Sequence, residues 1–354
     1  MRSLMLRGGI ALSLASLGLA GSALAQTGLT GAGATFPNPI YTKWFDAYNK
    51  QTGVQVNYQS IGSGGGIRQF TERTVDFGAT DGPMNDDQIA AVKGNVLHVP
   101  TVMGAVVLTY NLPEVGSTKL RLDGPTVAGI FQGTITKWND KALAKLNPGA
   151  KLPSQAIVPV RRSDGSGTTY NFAYYLADVS PEWKAKVGVS TAVQWPVGIG
   201  AKGNEGVANN VANTKGAIGY VEYAYAKQNK LTHTKMVNKA GKTVEPSSTS
   251  FQAAAANADW NSQPGYGVIL ANQPGDQSWP MTAATWILLY KKPADVPATA
   301  EALKFFAWSY AKGDKMAEDL DYVPMPDKVV NDIQKMWSAE IKDAGGKPLF
   351  SPTN

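Results

Sequence analysis

Three times along this chain a short apolar run leads into a turn rich in glycine, serine or threonine and then into an apolar stripe at helical spacing. That recurrence constrains the fold more than any other feature. The first unit is residues 29–36, then Pro37, which the opening turn of a helix tolerates, then Ile40, Tyr41, Trp44, Phe45 and Tyr48, with Gly53 to end the helix. The second is residues 54–58, with strict alternation, then Ile61-Gly62-Ser63-Gly64-Gly65-Gly66 and a short helix around Ile67 and Phe70. The third is Ile157-Val158-Pro159-Val160, then Arg161-Arg162-Ser163-Asp164-Gly165-Ser166-Gly167-Thr168-Thr169-Tyr170, then Phe172, Tyr175, Leu176 and Val179 at i, i+3, i+4 and i+7. Strands alternating with helices in this rhythm predict an α/β fold with a mostly parallel sheet covered by helices.

The remaining pattern fills in that frame. Residues 75–81 read as a strand with Asp81 at its C-terminal end, Gly82-Pro83 breaks the chain, and Asn85 caps a helix through Val92. Residues 96–99 and 105–110 read as two further strands, and residues 127–131 and 139–146 as helices. Ser180-Pro181 opens another helical turn, and Asn204 reads as the cap of a helix with Val207, Ala208, Val211 and Ala212 on one face. Residues 216–221 form a buried strand bounded by glycines. Residues 231–277 are polar and read as peripheral, apart from an alanine-rich helical piece near Phe251. Residues 285–290 give one more strand. Helices follow over 303–310, with Leu303, Phe306, Ala307 and Tyr310 on one face, and over 327–337.

Residues 1–25 stand apart. Arg2 and Arg7 precede and open a short apolar run, and Ala23-Leu24-Ala25 supplies a small-x-small cleavage pattern, so this segment reads as a secretory signal peptide cut after Ala25. Its removal takes the formal net charge from +6 to +4, a mild balance spread along the chain and unlike the clustered Lys/Arg of nucleic-acid binders. An exported chain of about 330 residues without a single cysteine relies on its core rather than on disulfides, and that length divides into two domains. The two histidines, His98 and His233, stand far apart, and no Cys or His/Asp cluster has metal-ligand spacing, so neither a metal nor a cofactor is expected. Nine Trp and fourteen Tyr suit a dense core, or sugar-binding platforms.

Three glycine- and hydroxyl-bearing turns, around Thr35-Phe36, around Ser63 and around Ser166-Gly167-Thr168, thus stand at the mouths of helices and at the C-terminal ends of strands, where ligands of open α/β sheets bind. Each offers unpaired N–H groups and the positive end of a helix dipole, and glycine permits close approach of backbone to ligand. Three such turns point to a tetrahedral oxyanion; the plainer alternative is three ordinary capping turns. Arg162 adds a fork of donors, with Asp164 as its ion-pair partner. Asp81 is a poor neighbour for an anion unless the anion itself carries a proton. Phosphate near neutral pH does and sulfate does not, so Asp81 would favour the first; the plain alternative is a turn cap before Pro83. No Lys follows the glycines as it does in a P-loop. An exported phosphatase using Ser63, Ser166 or Thr168 as nucleophile would need a base or a metal, and neither histidine is near these motifs in sequence.

Residues 31–37 (Gly-Ala-Gly-Ala-Thr-Phe-Pro), 75–79 (Val-Asp-Phe-Gly-Ala), 161–168 and 216–223 (Gly-Ala-Ile-Gly-Tyr-Val-Glu-Tyr), with the Gly-Lys-Pro-Leu ending at Leu349, closely resemble the periplasmic phosphate-binding protein family. The resemblance runs in order over essentially the whole chain after the leader. It implies a two-lobed periplasmic binding protein of type II, each lobe a mostly parallel sheet flanked by helices, with lobe I from residues 26–111 plus 283–354 and lobe II from 112–282. It also implies a monomeric periplasmic receptor that closes over inorganic phosphate and delivers it to an inner-membrane phosphate ABC permease with its ATPase. The family's ligands match Thr35, Phe36 (backbone N–H), Ser63, Asp81, Arg162, Ser166, Gly167 (backbone N–H) and Thr168, and Asp164 matches the acid that pairs with the arginine. Where many members carry a second serine after Ser63, this chain has Gly64. Arsenate and sulfate remain alternatives as the bound oxyanion; Asp81 argues against sulfate and not against arsenate.

Overall fold

The computed structural model describes residues 28–259 and 267–351; the leader and its cleavage site lie outside them. The chain runs β1 (Gly28–Gly33), α1 (Asn38–Thr52), β2 (Gln55–Ser60), α2 (Ser63–Thr71), β3 (Phe77–Thr80), α3 (Asp86–Ala91) and β4 (Leu97–Tyr110). After a 3₁₀ turn at Pro113–Val115 come β5 (Arg121–Leu122), α4 (Gly124–Gln132), α5 (Lys141–Leu146), β6 (Val158–Arg162), α6 (Gly167–Val179), α7 (Pro181–Lys186), β7 (Ile199–Ala201), α8 (Gly203–Asn213), β8 (Ala217–Glu222) and α9 (Tyr223–Gln228). The last stretch holds β9 (Thr232–His233), β10 (Lys235–Val237), β11 (Thr243–Val244), α10 (Ser248–Ala256), β12 (Thr282–Leu289), α11 (Val296–Lys312), α12 (Asp314–Glu318), β13 (Val323–Pro324) and α13 (Asp327–Glu340). No helix among the described residues is long and apolar enough to cross a membrane.

The strands join in the order β2-β1-β3-β12-β4-β8-β6-β7, with β13 and β9 also on β4. The outer pairs β2–β1, β1–β3, β8–β6 and β6–β7 are parallel, while β3–β12, β12–β4 and β4–β8 are antiparallel. Two wings of parallel strands therefore flank a central pair of long strands. Each wing is a set of parallel strands with helices in the connections between them, the two-lobed α/β arrangement that the sequence predicts. A small second sheet, β11-β10-β5, lies to one side.

The sequence predicts two strands over residues 96–110, and the structure has one of 14 residues, β4. Pro100 has no N–H to give to a ladder, and a register shift between Thr285 and Trp286 of β12 accommodates it: Thr285 pairs with Val102 and Trp286 with Pro100, which leaves Thr101 as the extra residue of a bulge. β4 therefore passes uninterrupted from one wing, where it pairs β12, to the other, where residues 106–110 pair β8.

Helix α1 buries Ile40, Tyr41, Trp44 and Tyr48 and ends at Gly53, whose φ of 77° is the left-handed C-cap geometry. That stripe meets Phe305 and Phe306 of α11, with Tyr48 and Phe305 centroids 5.2 Å apart. In the other wing Phe172 of α6 stacks on Tyr220 of β8 at 4.3 Å. Each such fully buried aromatic is worth about 1.5–3 kcal/mol of apolar transfer, so both helices are fixed to the sheet within a turn or two of the site they open toward. Residues 231–277 are not simply peripheral: Phe251 and Leu270 are fully buried, and Phe251 meets Trp279 and Tyr223 edge-on.

Candidate functional site

The residues singled out are buried, apart from the partly buried Asp164: Thr35 and Arg162 are 2 % exposed, Asp81 1 %, and Phe36, Ser63, Ser166 and Thr168 fully covered. Gly33, at φ 148°, makes the first turn possible: a Cβ there would stand 2.0 Å from the Ala79 carbonyl oxygen. This close approach sets Thr35 and Phe36 beside the end of β3, where Asp81 follows. The second turn differs from expectation, because α2 begins at Ser63 itself, so Gly64, Gly65 and Gly66 form its first turn rather than a loop before it. Gly64 then donates its N–H to Gly165 O at 2.9 Å across the cleft. A Cβ on Gly64 would lie 3.1 Å from the Gly165 Cα, so the glycine permits this close approach.

Across the cleft, Ser166 is the N-cap of α6, its Oγ accepting from Thr169 N at 3.0 Å. The plain capping role is thus realised, and it leaves the hydroxyl proton uncommitted. Ser63 Oγ accepts from Gly167 N at 3.0 Å and from Asp81 N at 3.2 Å, tying the two walls together. Thr168, in the first turn of α6, has no helical carbonyl behind its N–H. The N–H groups of Thr168 and Phe36 have no acceptor among the described residues.

Arg162 is clasped by Asp164 in a fork: Nε donates to Oδ1 at 2.8 Å and Nη2 to Oδ2 at 2.5 Å. Nη1 reaches Thr168 Oγ1 at 3.4 Å. Of the five N–H donors of a guanidinium, two remain for the cleft. Burial alone would raise the Asp164 carboxyl, but Arg162 holds it below the ordinary carboxylate value. Arg161 is half-buried, with its Nη1 donating to the Arg162 carbonyl at 3.3 Å.

Asp81 is handled in the opposite way. Its Oδ1 accepts from the Thr285 hydroxyl at 2.8 Å, while Oδ2 is buried and has no hydrogen-bond partner among the described residues. Burial pushes the carboxyl up to about 7, with Thr285 and the more distant Arg162 charge working against it. β12 pairs β3 antiparallel with Trp286 opposite Thr80, which sets Thr285 at the end of β3, on the far side from the β4 bulge at Thr101.

Several participants are invisible in the sequence pattern. Asn204 is not a cap, since Lys202 holds that position on α8. Its side chain instead donates to Thr35 Oγ1 at 2.7 Å and to Thr168 Oγ1 at 3.1 Å, joining the two walls. Asn171 donates to Asp81 O at 2.6 Å, and the Tyr225 hydroxyl to Thr35 O at 2.6 Å. The Tyr322 hydroxyl lies 2.6 Å from Phe36 O and 2.9 Å from Glu222 Oε2. A phenol has one proton and a carbonyl can only accept, so the second contact takes its proton from Glu222. Burial pushes the Glu222 carboxyl well above its ordinary value, consistent with that protonated form.

Neither histidine joins the cluster. His98 Nε2 accepts from Met84 N at 3.1 Å, and the His233 ring packs edge-on against Tyr223. The protein partners of Ser63, Ser166 and Thr168 within the site are N–H donors, which hold a hydroxyl oxygen in place but cannot take its proton.

A model of the PBP superfamily domain matches residues 20–312. The chain is 53% identical over 326 residues to the phosphate-binding protein PstS of Pasteurella multocida, covering 92% of this chain and 94% of the relative. It is 50% identical to the PstS of Haemophilus influenzae, covering 89% and 93%. Among solved structures, one described as a high affinity periplasmic phosphate-binding protein (PfluDING) bound with phosphate superposes with a TM-score of 0.72 at 19% identity, covering 93% of this chain and 100% of that one. A phosphate binding protein from Stenotrophomonas maltophilia gives 0.70 at 18%, covering 90% and 97%. At such identities these two show a shared fold. The matched domain and the relatives in sequence, taken over nearly the full length, establish that the chain belongs to the PstS family of phosphate-binding proteins, within the PBP superfamily.

Proposed function

We propose that this protein binds inorganic phosphate in the periplasm and delivers it to an inner-membrane ABC permease and its ATPase, acting as a receptor and not as an enzyme. The observation that carries the reading is the pairing of a cage of hydrogen-bond donors with one buried, unpartnered acceptor, Asp81 Oδ2. Donors come from Arg162, the hydroxyls of Thr35, Ser63, Ser166 and Thr168, and the N–H groups of Phe36, Gly167 and Thr168. The Gly167 N–H acts through Ser63, whose oxygen it holds. Protonated phosphate satisfies both kinds of group. Sulfate has no proton for Asp81 and leaves a buried charged acceptor facing lone pairs, at a cost of about 1–3 kcal/mol. Arsenate shares phosphate's protonation and shape and escapes that penalty.

The lobes in this reading are residues 26–111 plus 283–354 and residues 112–282. β12 beginning at Thr282 supports the second boundary, while β4 passes between the wings near residue 105, where its pairing changes from β12 to β8, a few residues before the first. Residues 1–25 act as the cleaved leader, and the receptor works as a monomer. Calorimetry on ligand-stripped protein tests the reading: phosphate is expected to bind much more tightly than sulfate, and equal affinities would sink it. Turnover of a chromogenic phosphomonoester that disappears in Ser166→Ala would replace the receptor with an enzyme.

A further inference from the structure

The four hydroxyls around the site share a property that no single one reveals. Ser63 Oγ accepts two N–H groups and Ser166 Oγ accepts one. Thr35 Oγ1 accepts from Asn204 N at 3.2 Å and from Asn204 Nδ2 at 2.7 Å. Thr168 Oγ1 accepts from the same Nδ2 at 3.1 Å and from Arg162 Nη1 at 3.4 Å. A threonine hydroxyl has two acceptor lone pairs and one proton. With the lone pairs occupied, the proton is the only valence left, and among the described residues neither threonine has an acceptor for it.

The orientation of the Asn204 amide is fixed from its other end. Glu222 N donates to Asn204 Oδ1 at 2.8 Å, and since a backbone N–H can only donate, the oxygen must face Glu222 and the NH₂ must face the threonines. Asn204 itself is fully buried, so no solvent competes for these bonds. One NH₂ group thus reaches a hydroxyl on each wall: Thr35, between β1 and α1, and Thr168, in the first turn of α6.

We propose that Asn204 is a positioning residue for anion binding: by filling lone pairs of Thr35 and Thr168 it turns both hydroxyl protons toward the bound oxyanion. The inference rests on the phosphate-binding reading and adds to it the group that makes those two hydroxyls donate. A side chain present only to fill space would behave differently on substitution. Asn204→Asp keeps the shape, and one of its oxygens still accepts from Glu222 N, but the other becomes an acceptor that draws the threonine protons away from the ligand.

The test is titration calorimetry with inorganic phosphate on stripped wild-type protein, Asn204→Asp and Asn204→Ala, with circular dichroism to confirm folding. Asn204→Asp is expected to weaken phosphate binding by about 100-fold and Asn204→Ala by about tenfold, since the alanine leaves the hydroxyls free to rotate. If Asp binds as well as wild type while Ala is the worse of the two, the residue fills space and the proposal falls. The added charge of aspartate is separated from its effect on the hydroxyls by repeating both substitutions in Thr35→Val/Thr168→Val. There each penalty is expected to shrink to about threefold or less, because no hydroxyl remains to be turned. Undiminished penalties overturn the proposal. Should Asn204→Asp fail to fold, the same cycle with Asn204→Ala alone decides. Failure of wild-type protein to bind phosphate would instead strike the functional reading, independently of how the variants rank.

Discussion

Two aspartates flank one guanidinium, and the protein treats them in opposite ways. Asp164 belongs to the turn before α6, gives both oxygens to Arg162, accepts from Gly203 N at 3.1 Å and is held below the ordinary carboxylate value. Asp81 closes β3 on the facing wall, gives one oxygen to Thr285, keeps the other without a partner and is pushed up to about 7 by burial. The first arrangement satisfies a buried cation and holds its fork still. The second leaves an acceptor with an unmet need that, once the carboxyl is ionised, a proton-bearing ligand can meet. In the proposed reading charge balance and ligand choice are therefore separable, because the two aspartates sit on different walls and answer to different neighbours.

The separation breaks most severely if the walls cannot meet. A Cβ on Gly167 would stand 2.6 Å from both Asp81 N and Ser63 Oγ. Gly167→Val is expected to lower phosphate affinity by at least about 100-fold, read by calorimetry, through overpacking at the contact between walls. Near-normal binding would show that the two walls need not approach as closely as they do here.

Asp81→Asn addresses selection alone. An amide NH₂ can donate to sulfate, so the phosphate-to-sulfate affinity ratio is expected to fall by roughly 10- to 100-fold. An unchanged ratio would remove Asp81 from any role in choice. Asp164→Asn is the counterpart: Arg162 loses its charged partner, and unfolding in denaturant should reveal a loss of about 3–5 kcal/mol. The phosphate-to-sulfate ratio should stay put. A shift in that ratio as large as that from Asp81→Asn would merge the two roles.

The smallest effect is in the pH dependence of ligand-stripped protein. Asp81 has a folded-state pKa of about 7 against an ordinary 3.8, so the folded state holds the proton more tightly than the unfolded one. That contribution is fully present below about pH 4 and is lost as pH rises through about 7. Asp81→Asn lacks it, so its melting temperature relative to wild type should rise by a few degrees between pH 5 and pH 8. A parallel pair of curves would mean that Asp81 is not desolvated in the stripped protein.

Much of the proposed site is legible in the sequence because its residues stand beside glycines at the ends of apolar strands: Thr35 two residues after Gly33, and Ser63, Asp81 and Ser166 each just before one. What is not legible acts over distance. Thr285 lies inside a strand, and its bond to Asp81 spans 204 positions; nothing in its neighbours marks it. Asn204 carries the residue type and position of a helix cap, and only the tertiary fold diverts its amide to two threonines. Pro100 suggests an end to a strand that the bulge at Thr101 of β4 allows to continue, so one strand reads as two. Tyr322 and Glu222 show the same limit, since a buried proton shared between residues 100 positions apart leaves no local pattern.

The place of β12 in the chain bears on how the protein matures. Arg162, Ser166, Thr168 and the strands that carry them are close neighbours in sequence, whereas β3 waits for a partner synthesised some 200 residues later. A chain emerging from its N-terminus assembles local contacts first and long-range pairings last. The basic wall is therefore complete before residues 282–289 arrive to desolvate Asp81 and give it Thr285. Without β12 the molecule would have the donors of residues 162–168 but neither the Thr285 partner of Asp81 nor the strand that covers the edge of β3.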